Sequence, residues 1–195
     1  MKSKVILSDC DGILLWWKYG IEKFVTEILK MKVTGNFDMY YRLEEWLNIH
    51  PSEASEMINR FHLSDGFADL PAFDDALEYV NRLHQEGWTF IAITACGFDE
   101  RIIEMRRQNL ETHFPGVFQE IRTVGVFDSK EEILNEYDPA IWVEDTWRHA
   151  LAGYDVGHKS FLIKRDYNTD TSHEGPIVVS GWEEIYETIT APKGI

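Results

Sequence analysis

Two aspartates one residue apart follow the first apolar run of the chain. Residues 5–7 predict a short buried strand, and Asp9 and Asp11 come where that strand would end. Residues two apart in a strand point the same way, and Gly12 lets the backbone bend directly afterwards, so both carboxylates can face one small volume. Two like charges held this close need a cation beside them or a proton on one of them. The pair therefore indicates a chemical site; an ordinary strand running into an Asp-Gly turn is the alternative.

Polar residues also follow two later predicted elements. Thr94 closes a predicted strand over residues 88–94, and the chain continues through Ala95. A hydroxyl and free backbone amides at a strand end could hold an anion, whereas a threonine that caps a loop is the alternative. Lys130 begins a predicted helix over residues 130–137, where an ordinary surface lysine is the alternative.

An acidic pair completes the set. Glu144 and Asp145 directly follow a predicted strand over residues 140–143. Consecutive carboxylates there could serve a functional site, or they could be solvated or cap the helix predicted from Thr146. An aspartate pair, a hydroxyl, a lysine and an acidic pair thus occur in that order at successive element ends.

The elements that would position these residues alternate along the chain from residue 73 onward. Predicted strands cover residues 5–7, 88–94, 121–124, 140–143 and 160–163, and predicted helices cover residues 76–83, 99–110, 130–137 and 146–153. Strands separated by helices indicate a parallel sheet that is covered on both faces. The predicted fold class is therefore α/β, a Rossmann-like parallel sheet with helices on both faces and ligands beyond the carboxyl ends of its strands.

The segment after the first strand follows a different pattern. Its apolar positions fall at helical spacing within residues 21–29, 39–47 and 54–61, and no strand-like run interrupts them. We therefore expect a small all-helical cap inserted after the first strand and lying over the mouth of the sheet, with residues 64–66 as the return hinge. The predicted domains are an α/β core of residues 1–16 and 67–195 and a cap of residues 17–66.

Composition restricts the partners. The 19 basic and 34 acidic residues give a net charge of −15, which would repel a nucleic-acid polymer. Two cysteines cannot form a disulfide scaffold and suit a reducing compartment. The apolar runs are too short to span a membrane, and Asp9 and Asp11 interrupt any signal-peptide pattern. We expect a cytoplasmic protein without nucleic-acid or membrane partners, to which small phosphorylated metabolites could bind through a divalent cation.

Taken together, these features resemble the haloacid dehalogenase (HAD)-like hydrolase superfamily, in particular its phosphatases with a helical cap of the first type. The four motifs of that superfamily are matched by the Asp-Cys-Asp-Gly run at residues 9–12, by Thr94, by Lys130 and by the acidic pair at residues 144–145. The resemblance covers about residues 4–165.

The resemblance implies hydrolysis of a phosphate ester through an aspartyl phosphate. Asp9 would attack phosphorus, and Asp11 would protonate the leaving oxygen and then deprotonate the hydrolytic water. Thr94, Ala95 and Lys130 would bind the phosphoryl oxygens, with Lys130 offsetting negative charge. The superfamily's dehalogenases attack carbon and need no acid at the position of Asp11, so its presence favours phosphoryl transfer.

The same resemblance implies a Mg²⁺ cofactor. Asp9, Asp145 and the backbone carbonyl of Asp11 would be its protein ligands, together with water and a substrate oxygen. Glu144 would bind the ion directly or through a water molecule. The superfamily often carries aspartate at that position, so the role of Glu144 stays open.

Two features bear on the substrate. Trp17 lies just past the aspartate pair, where an aromatic ring could stack on a base; packing in the core of the cap is the alternative. Residues 164–168 and 178–186 are similar to the end of many 5'(3')-deoxyribonucleotidases, whereas residues 144–146 are more similar to the β-phosphoglucomutase branch. Nucleoside monophosphates therefore rank first, ahead of a sugar phosphate.

Several alternatives remain at this level. A sugar-phosphate phosphatase or a phosphomutase would use the same residues, and a catalytically silent relative would bind a phosphorylated ligand without turnover. The protein could be a monomer or a homodimer. Cys10 and Cys96 adjoin the first two motifs and could form a disulfide under oxidation, or they could be two small buried residues.

Overall fold

The computed structural model describes residues 4–168 and 174–191. Within them the strands are β1 (Val5–Ser8), β2 (Thr89–Thr94), β3 (Phe118–Thr123), β4 (Ile141–Glu144), β5 (Lys159–Ile163) and β6 (Ile177–Val179). They form one sheet in the order β3-β2-β1-β4-β5-β6, and every neighbouring pair is parallel. The first strand of the chain therefore lies at the centre of the sheet.

Both faces of the sheet are apolar. Ile6 packs into the larger of two hydrophobic clusters, whereas its neighbour Leu7 packs with Trp142 in the other cluster. Successive side chains of a strand point to opposite faces, so the two clusters lie on the two sides of the sheet. Burial on both sides explains why the central strands are runs of apolar residues rather than alternating ones. The predicted α/β parallel fold class is confirmed.

The segment between β1 and β2 begins with short helices. They are α1 (Trp17–Lys23), α2 (Leu43–Leu47), α3 (Pro51–His62) and α4 (Asp65–Ala68), with a π-helical turn at Phe24–Ile28 and a 3₁₀ turn at Phe37–Met39. Pro51 suits the first turn of α3, and His50 and Glu53 form a capping box there. The segment is helical, as its apolar spacing predicts. Its treatment as a separate cap domain of residues 17–66 stays a prediction.

The chain enters and leaves this helical segment through two adjacent crossings. The Trp16 N–H donates to the Pro71 carbonyl at 2.8 Å, and the Phe73 N–H donates to the Leu14 carbonyl at 3.0 Å. The two crossings are therefore hydrogen-bonded to each other. Residues 64–66, which the sequence suggests as the return hinge, lie at the start of α4.

Five further helices in the described residues cover the sheet. They are α5 (Asp74–Gln85), α6 (Glu100–His113), α7 (Glu131–Leu134), α8 (Trp147–Asp155) and α9 (Trp182–Thr190). Apolar residues of α5, α6 and α9 belong to the cluster of Ile6, and those of α7 belong to the cluster of Leu7. Within the described residues, every helix is too short or too polar to cross a membrane.

Most elements begin or end one to three residues from their predicted bounds, and one strand was not predicted at all. The helix predicted over residues 130–137 is regular only to Leu134, because the next residues form tighter turns in which the Tyr137 N–H bonds to the Leu134 carbonyl. Strand β3 begins at Phe118, three residues before its predicted start. Strand β6 was not predicted, since three residues at a sheet edge leave almost no periodic signal.

Candidate active site

The carboxyl ends of three neighbouring strands meet at one cleft. Ser8 of β1 is paired with Ala92 of β2 and with Val143 of β4, so the residues that follow these strands reach the same edge of the sheet. A cleft of about 1090 Å³ lies there, between the strand ends and the helical segment. Its lining includes Asp9, Asp11, Ala95 and Asp145 from the strand ends and Trp17, Phe37 and His62 from the helical segment. This is the edge at which parallel α/β sheets bind ligands.

Lys130 holds two buried carboxylates together. Its Nζ lies 2.7 Å from an Asp9 oxygen and 2.8 Å from a Glu144 oxygen, and its side chain is only 2% exposed. Burial alone would lower the pKa of Lys130, but the two carboxylates outweigh burial and raise the pKa above its ordinary value. Lys130 is therefore an internal cation of the site and not the surface lysine that composition alone would suggest.

Three carboxylates of the site can face one cation. Oxygens of Asp9, Glu144 and Asp145 lie within 4.8 Å of one another, and all three residues are buried. Burial, followed by repulsion from Asp9, raises the pKa of both Glu144 and Asp145. One lysine leaves this buried cluster with excess negative charge, and carboxylate oxygens are the ligands that hard divalent cations prefer. The residues therefore fit a divalent metal ion.

Glu144 already has protein partners for both of its oxygens. One oxygen bonds to Lys130, and the other accepts from the backbone N–H groups of Asp145 (3.1 Å) and Thr146 (3.0 Å). This fixes the side chain across the start of α8. The geometry thus makes Glu144 a partner of Lys130 and of the backbone.

Asp11 pairs with an arginine that the sequence analysis did not identify. Both carboxylate oxygens of Asp11 accept from Nη2 of Arg106 on α6, at 2.7 and 2.6 Å. The Arg106 side chain is fully buried, whereas that of Asp11 is 26% exposed. Burial raises the pKa of Asp11 to about 6, although Arg106 acts in the opposite direction. Asp11 thus lines the cleft and forms an ion pair with a buried arginine.

The helical pattern does contain a signal for Arg106. It stands four residues after Ile102 and four before Leu110, both buried, and therefore on the inward face of α6. Arg107, the next residue, is 56% exposed and pairs with Glu104. A buried charged residue on the apolar stripe of a helix requires a partner of opposite charge, and Asp11 is that partner.

We expect Arg106→Gln to lower the free energy of unfolding by about 2 kcal/mol, because it leaves Asp11 without its cation. The loss should be smaller than for a fully enclosed pair, since Asp11 also reaches the cleft. Arg107→Gln is the matched control on the exposed face and should change the stability by less than about 0.5 kcal/mol. Urea unfolding of both variants measures the difference, and equal stabilities would contradict the structural role of Arg106.

Thr94 presents a hydroxyl with no protein partner. Its Oγ1 is buried, the residue is 0% exposed, and no hydrogen bond to this atom is made by any described residue. Thr94 ends β2, next to the end of β1 that carries Asp9, and Ala95 beyond it lines the cleft. A buried hydroxyl without a partner is costly unless a ligand or water satisfies it. The Thr94 hydroxyl thus has unused hydrogen-bonding capacity just behind the lining of the cleft, to which Ala95 belongs and Thr94 does not.

Trp17 is half-buried and lines the cleft, so it is neither a free surface ring nor a fully enclosed core residue. Its ring centroid lies 5.8 Å from that of Phe61 and 6.4 Å from that of Phe37. Its Nε1 donates a hydrogen bond to Nε2 of His62 at 3.1 Å. These contacts fix the indole in the helical wall of the cleft with part of its surface still accessible.

The segment after β5 supplies further residues of the site. Tyr167 donates its hydroxyl hydrogen to Asp145, and Asn168 donates its side-chain N–H to the Asp145 carbonyl at 2.6 Å. Arg165 donates to the Gly12 carbonyl at 2.9 and 2.6 Å. The Lys18 ammonium lies 3.7 Å from the centroid of the Tyr167 ring. Arg165, Tyr167 and Asn168 lie within the run 164–168, which the sequence analysis compares with nucleotidases; their contacts with Gly12 and Asp145 could not be foreseen.

Gly12 is required by both its conformation and its surroundings. Its φ is +77°, and a Cβ there would collide with the Asp145 carboxylate and lie 2.8 Å from the Tyr167 hydroxyl. We expect Gly12→Ala to lower the free energy of unfolding by about 3 kcal/mol and to weaken divalent-cation binding. Gly116→Ala is the matched control, since Gly116 has φ +69° but open space around it, and it should lose only about 1 kcal/mol.

Thermal unfolding with and without Mg²⁺ measures both effects. If the two glycine variants lose stability equally and respond equally to Mg²⁺, the close packing around Gly12 has no influence on the acidic cluster.

Cys10 and Cys96 are both free and buried. Burial is the main cause that raises the pKa of each thiol. In the structure Cys10 and Cys96 are thus two small buried residues without a disulfide. A disulfide between them under oxidation stays a prediction.

Solved structures of HAD-like hydrolases share this fold. YfnB from Bacillus subtilis, described as a HAD-hydrolase bound to magnesium, aligns with a TM-score of 0.67 and 14% identity over 97% of this chain and 100% of that chain. A predicted phosphatase from Clostridium acetobutylicum aligns with a TM-score of 0.69 and 16% identity over 95% and 97%. L-2-haloacid dehalogenase from Xanthobacter autotrophicus aligns with a TM-score of 0.62 and 10% identity over 98% and 100%. The chain therefore has the fold of the HAD-like hydrolases.

No protein-family model matches the chain. The uncharacterized 32.4 kDa protein in the Gp30-rIII intergenic region of Enterobacteria phage T4 is 30% identical over 199 residues, which cover 96% of this chain and 70% of the phage protein. The chain belongs to the family of that phage T4 protein.

Proposed function

We propose that the protein is a Mg²⁺-dependent phosphomonoesterase that acts on small phosphorylated metabolites through an aspartyl phosphate. The observation that carries the proposal is Asp9. It is buried at the end of β1, it lies 2.7 Å from Lys130, and it shares a cation-sized space with Asp145. A carboxylate that is enclosed, paired with a lysine and part of a cleft lining suits a nucleophile.

The reaction would proceed in two displacements. An Asp9 oxygen forms a bond to phosphorus while the bond from phosphorus to the ester oxygen breaks, and Asp11 delivers a proton to that leaving oxygen. Asp11 then takes a proton from water, whose oxygen attacks the same phosphorus and releases inorganic phosphate and the free Asp9 carboxylate. The accessible position of Asp11 on Arg106 supports this role, since it needs contact with both solvent and substrate.

The remaining groups would stabilise the transferring phosphoryl group. Thr94 has an unpartnered hydroxyl for a phosphoryl oxygen, the backbone at Ala95 lines the same region, and Lys130 supplies positive charge. Mg²⁺, held by Asp9, Asp145 and the Asp11 carbonyl, would neutralise charge on phosphoryl oxygens. Asp9, Thr94, Lys130 and Asp145 are buried, and electrostatic interactions are stronger there than in water.

Dehalogenases share this fold, so only the residues of the site can distinguish attack on carbon from phosphoryl transfer. Attack on carbon needs no acid two residues after the nucleophile, whereas expulsion of an alkoxide from phosphorus does. Asp11 and the buried acidic cluster both favour phosphoryl transfer. A dehalogenase would have no use for a divalent cation beside Asp9.

We rank nucleoside monophosphates first as substrates. Trp17, Phe37 and Tyr41 give the helical side of the cleft an aromatic lining, which suits a planar base. A sugar-phosphate phosphatase or phosphomutase is the second candidate, because the Glu144-Asp145-Thr146 run is similar to the β-phosphoglucomutase branch. A relative that binds a phosphorylated ligand without turnover is the third.

Release of inorganic phosphate from a panel of phosphate esters tests the proposal. We expect Mg²⁺-dependent turnover of p-nitrophenyl phosphate that EDTA abolishes, and faster turnover of deoxynucleoside monophosphates than of hexose phosphates. Isomerisation of a hexose phosphate without release of phosphate would indicate the mutase. Binding without turnover by the intact protein would indicate the silent relative and would contradict the proposal.

A further inference from the structure

The helical wall of the cleft contains one buried polar side chain. Within residues 17–68, four residues that line the cleft are buried and at most 2% exposed: Phe37, Leu43, Ala54 and His62. His62 is the last residue of α3 and is the only polar member of this set. Polar groups are buried in such surroundings only when they are hydrogen-bonded or serve a ligand.

The hydrogen bond from Trp17 fixes the tautomer of His62. An indole N–H can only donate, so Nε2 of His62 must be the acceptor in the 3.1 Å contact. A neutral imidazole with an accepting Nε2 carries its hydrogen on Nδ1. Burial, reinforced by the charge of Arg106, lowers the pKa of His62 to about 3, so the ring is neutral near pH 7. Nδ1 of His62 is therefore a hydrogen-bond donor.

This donor has no acceptor in the described part of the protein. Nδ1 of His62 is buried and makes no hydrogen bond. The ring is held in place by its neighbours, with its centroid 4.5 Å from that of Phe67 and 6.0 Å from that of Phe61. An unsatisfied buried N–H destabilises a protein. A fixed and unsatisfied donor on the wall of a cleft points to an acceptor on a ligand.

We propose that His62 selects the leaving group of the substrate, its Nδ1–H donating to a carbonyl oxygen or ring nitrogen of a heterocyclic base that lies against Trp17. The inference rests on the proposed function and adds a specificity-determining residue to it. The buried part of this wall offers apolar contact and one directional donor, which suits a flat base with an acceptor, whereas the hydroxyl groups of a hexose that reached it would meet Phe37, Leu43 and Ala54.

The first test uses the wild-type protein alone. It compares thymidine 5'-monophosphate with its 2,4-difluorotoluene isostere, which keeps the shape of the base but lacks strong acceptors. We expect kcat/KM to fall about ten- to a hundredfold for the isostere, since the His62 donor is left unpaired in that complex. Equal values would overturn the proposal and leave a bound water as the partner of Nδ1.

A pair of variants then assigns the effect to one atom. The amide of Asn can place an N–H near the position of Nδ1, whereas the amide of Gln reaches the position of Nε2. We expect His62→Asn to retain most of the discrimination and His62→Gln to lose it about tenfold or more, with p-nitrophenyl phosphate turnover unchanged within about twofold in both. A merely structural role of His62 would lower the rates for all three substrates in parallel.

The outcomes separate the two proposals. If wild-type protein releases no phosphate from any ester, the phosphatase function is wrong and the inference falls with it. If it hydrolyses p-nitrophenyl phosphate but not nucleotides, or the thymidine nucleotide and its isostere equally, the phosphatase function stands and the role of His62 is wrong. The wild-type comparison distinguishes these outcomes even if a variant at His62 does not fold.

Discussion

Asp9→Asn should reduce phosphate release at least about 1,000-fold while making the metal-free protein more stable. The loss of activity follows because an amide cannot form the aspartyl phosphate. The gain in stability follows because Asp9, Glu144 and Asp145 are buried together with one lysine. Removing one of three crowded negative charges should raise the free energy of unfolding in EDTA by about 1 kcal/mol.

The same variant should respond less to metal. Mg²⁺ stabilises a folded protein more the more tightly it binds, so its effect on the melting temperature should be smaller for Asp9→Asn than for the wild type. Asp166→Asn is the matched control, because Asp166 lines the same cleft but lies outside the acidic cluster. Its activity should stay within about twofold. Retained turnover by Asp9→Asn would show that another residue is the nucleophile.

Lys130→Met should lose both activity and stability. Methionine fills much of the space of the lysine stem but leaves the carboxylates of Asp9 and Glu144 buried without their cation. Breaking a buried pair by removing one partner typically destabilises a protein by about 3–5 kcal/mol. Phosphate release should fall at least about a hundredfold, because the proposed nucleophile Asp9 loses the cation that holds it and offsets charge beside it.

A second substitution separates the two losses. In Lys130→Met combined with Glu144→Gln, one uncompensated charge is removed, so much of the stability should return while the activity does not. Lys164→Met is the control for the charge of the cleft, since Lys164 is an exposed cleft residue. Urea unfolding and phosphate release measure the series. A single Lys130→Met variant as stable as the wild type would mean that the buried carboxylates are neutral.

The strand ends could be located from sequence because they depend on local patterns. A short apolar run followed by polar residues identifies a buried strand and its exit, and parallel strands bring their exits to one edge. Asp9, Thr94 and Glu144 therefore lie at the same edge of the sheet, where Asp9 and the neighbours Ala95 and Asp145 line the cleft. Lys130 belongs to no such pattern by itself, and its two ion pairs depend on how α7 packs beside β4.

Contacts between distant segments could not be derived in this way. Arg106 pairs with Asp11 across 95 residues, and Tyr167 reaches Asp145 from the loop after β5. Neither partner follows from periodicity, which places a side chain on a face but does not say what it meets there. The helical segment was predicted, but the neutral donor on His62 depends on one hydrogen bond from Trp17.

The order of the sheet has a consequence for biosynthesis. Strand β1 is synthesised before the other described strands, whereas its neighbour β4 ends only at Glu144. The carbonyl of Gly12, just after β1, accepts a hydrogen bond from Arg165, 153 residues further along. A nascent chain must therefore keep its first strand unpaired on one side until most of the described residues have been synthesised. Such late closure slows folding and exposes apolar edges in the meantime. The turn at residues 9–12 therefore acquires its hydrogen bonds from Arg165 only after β5 has been synthesised.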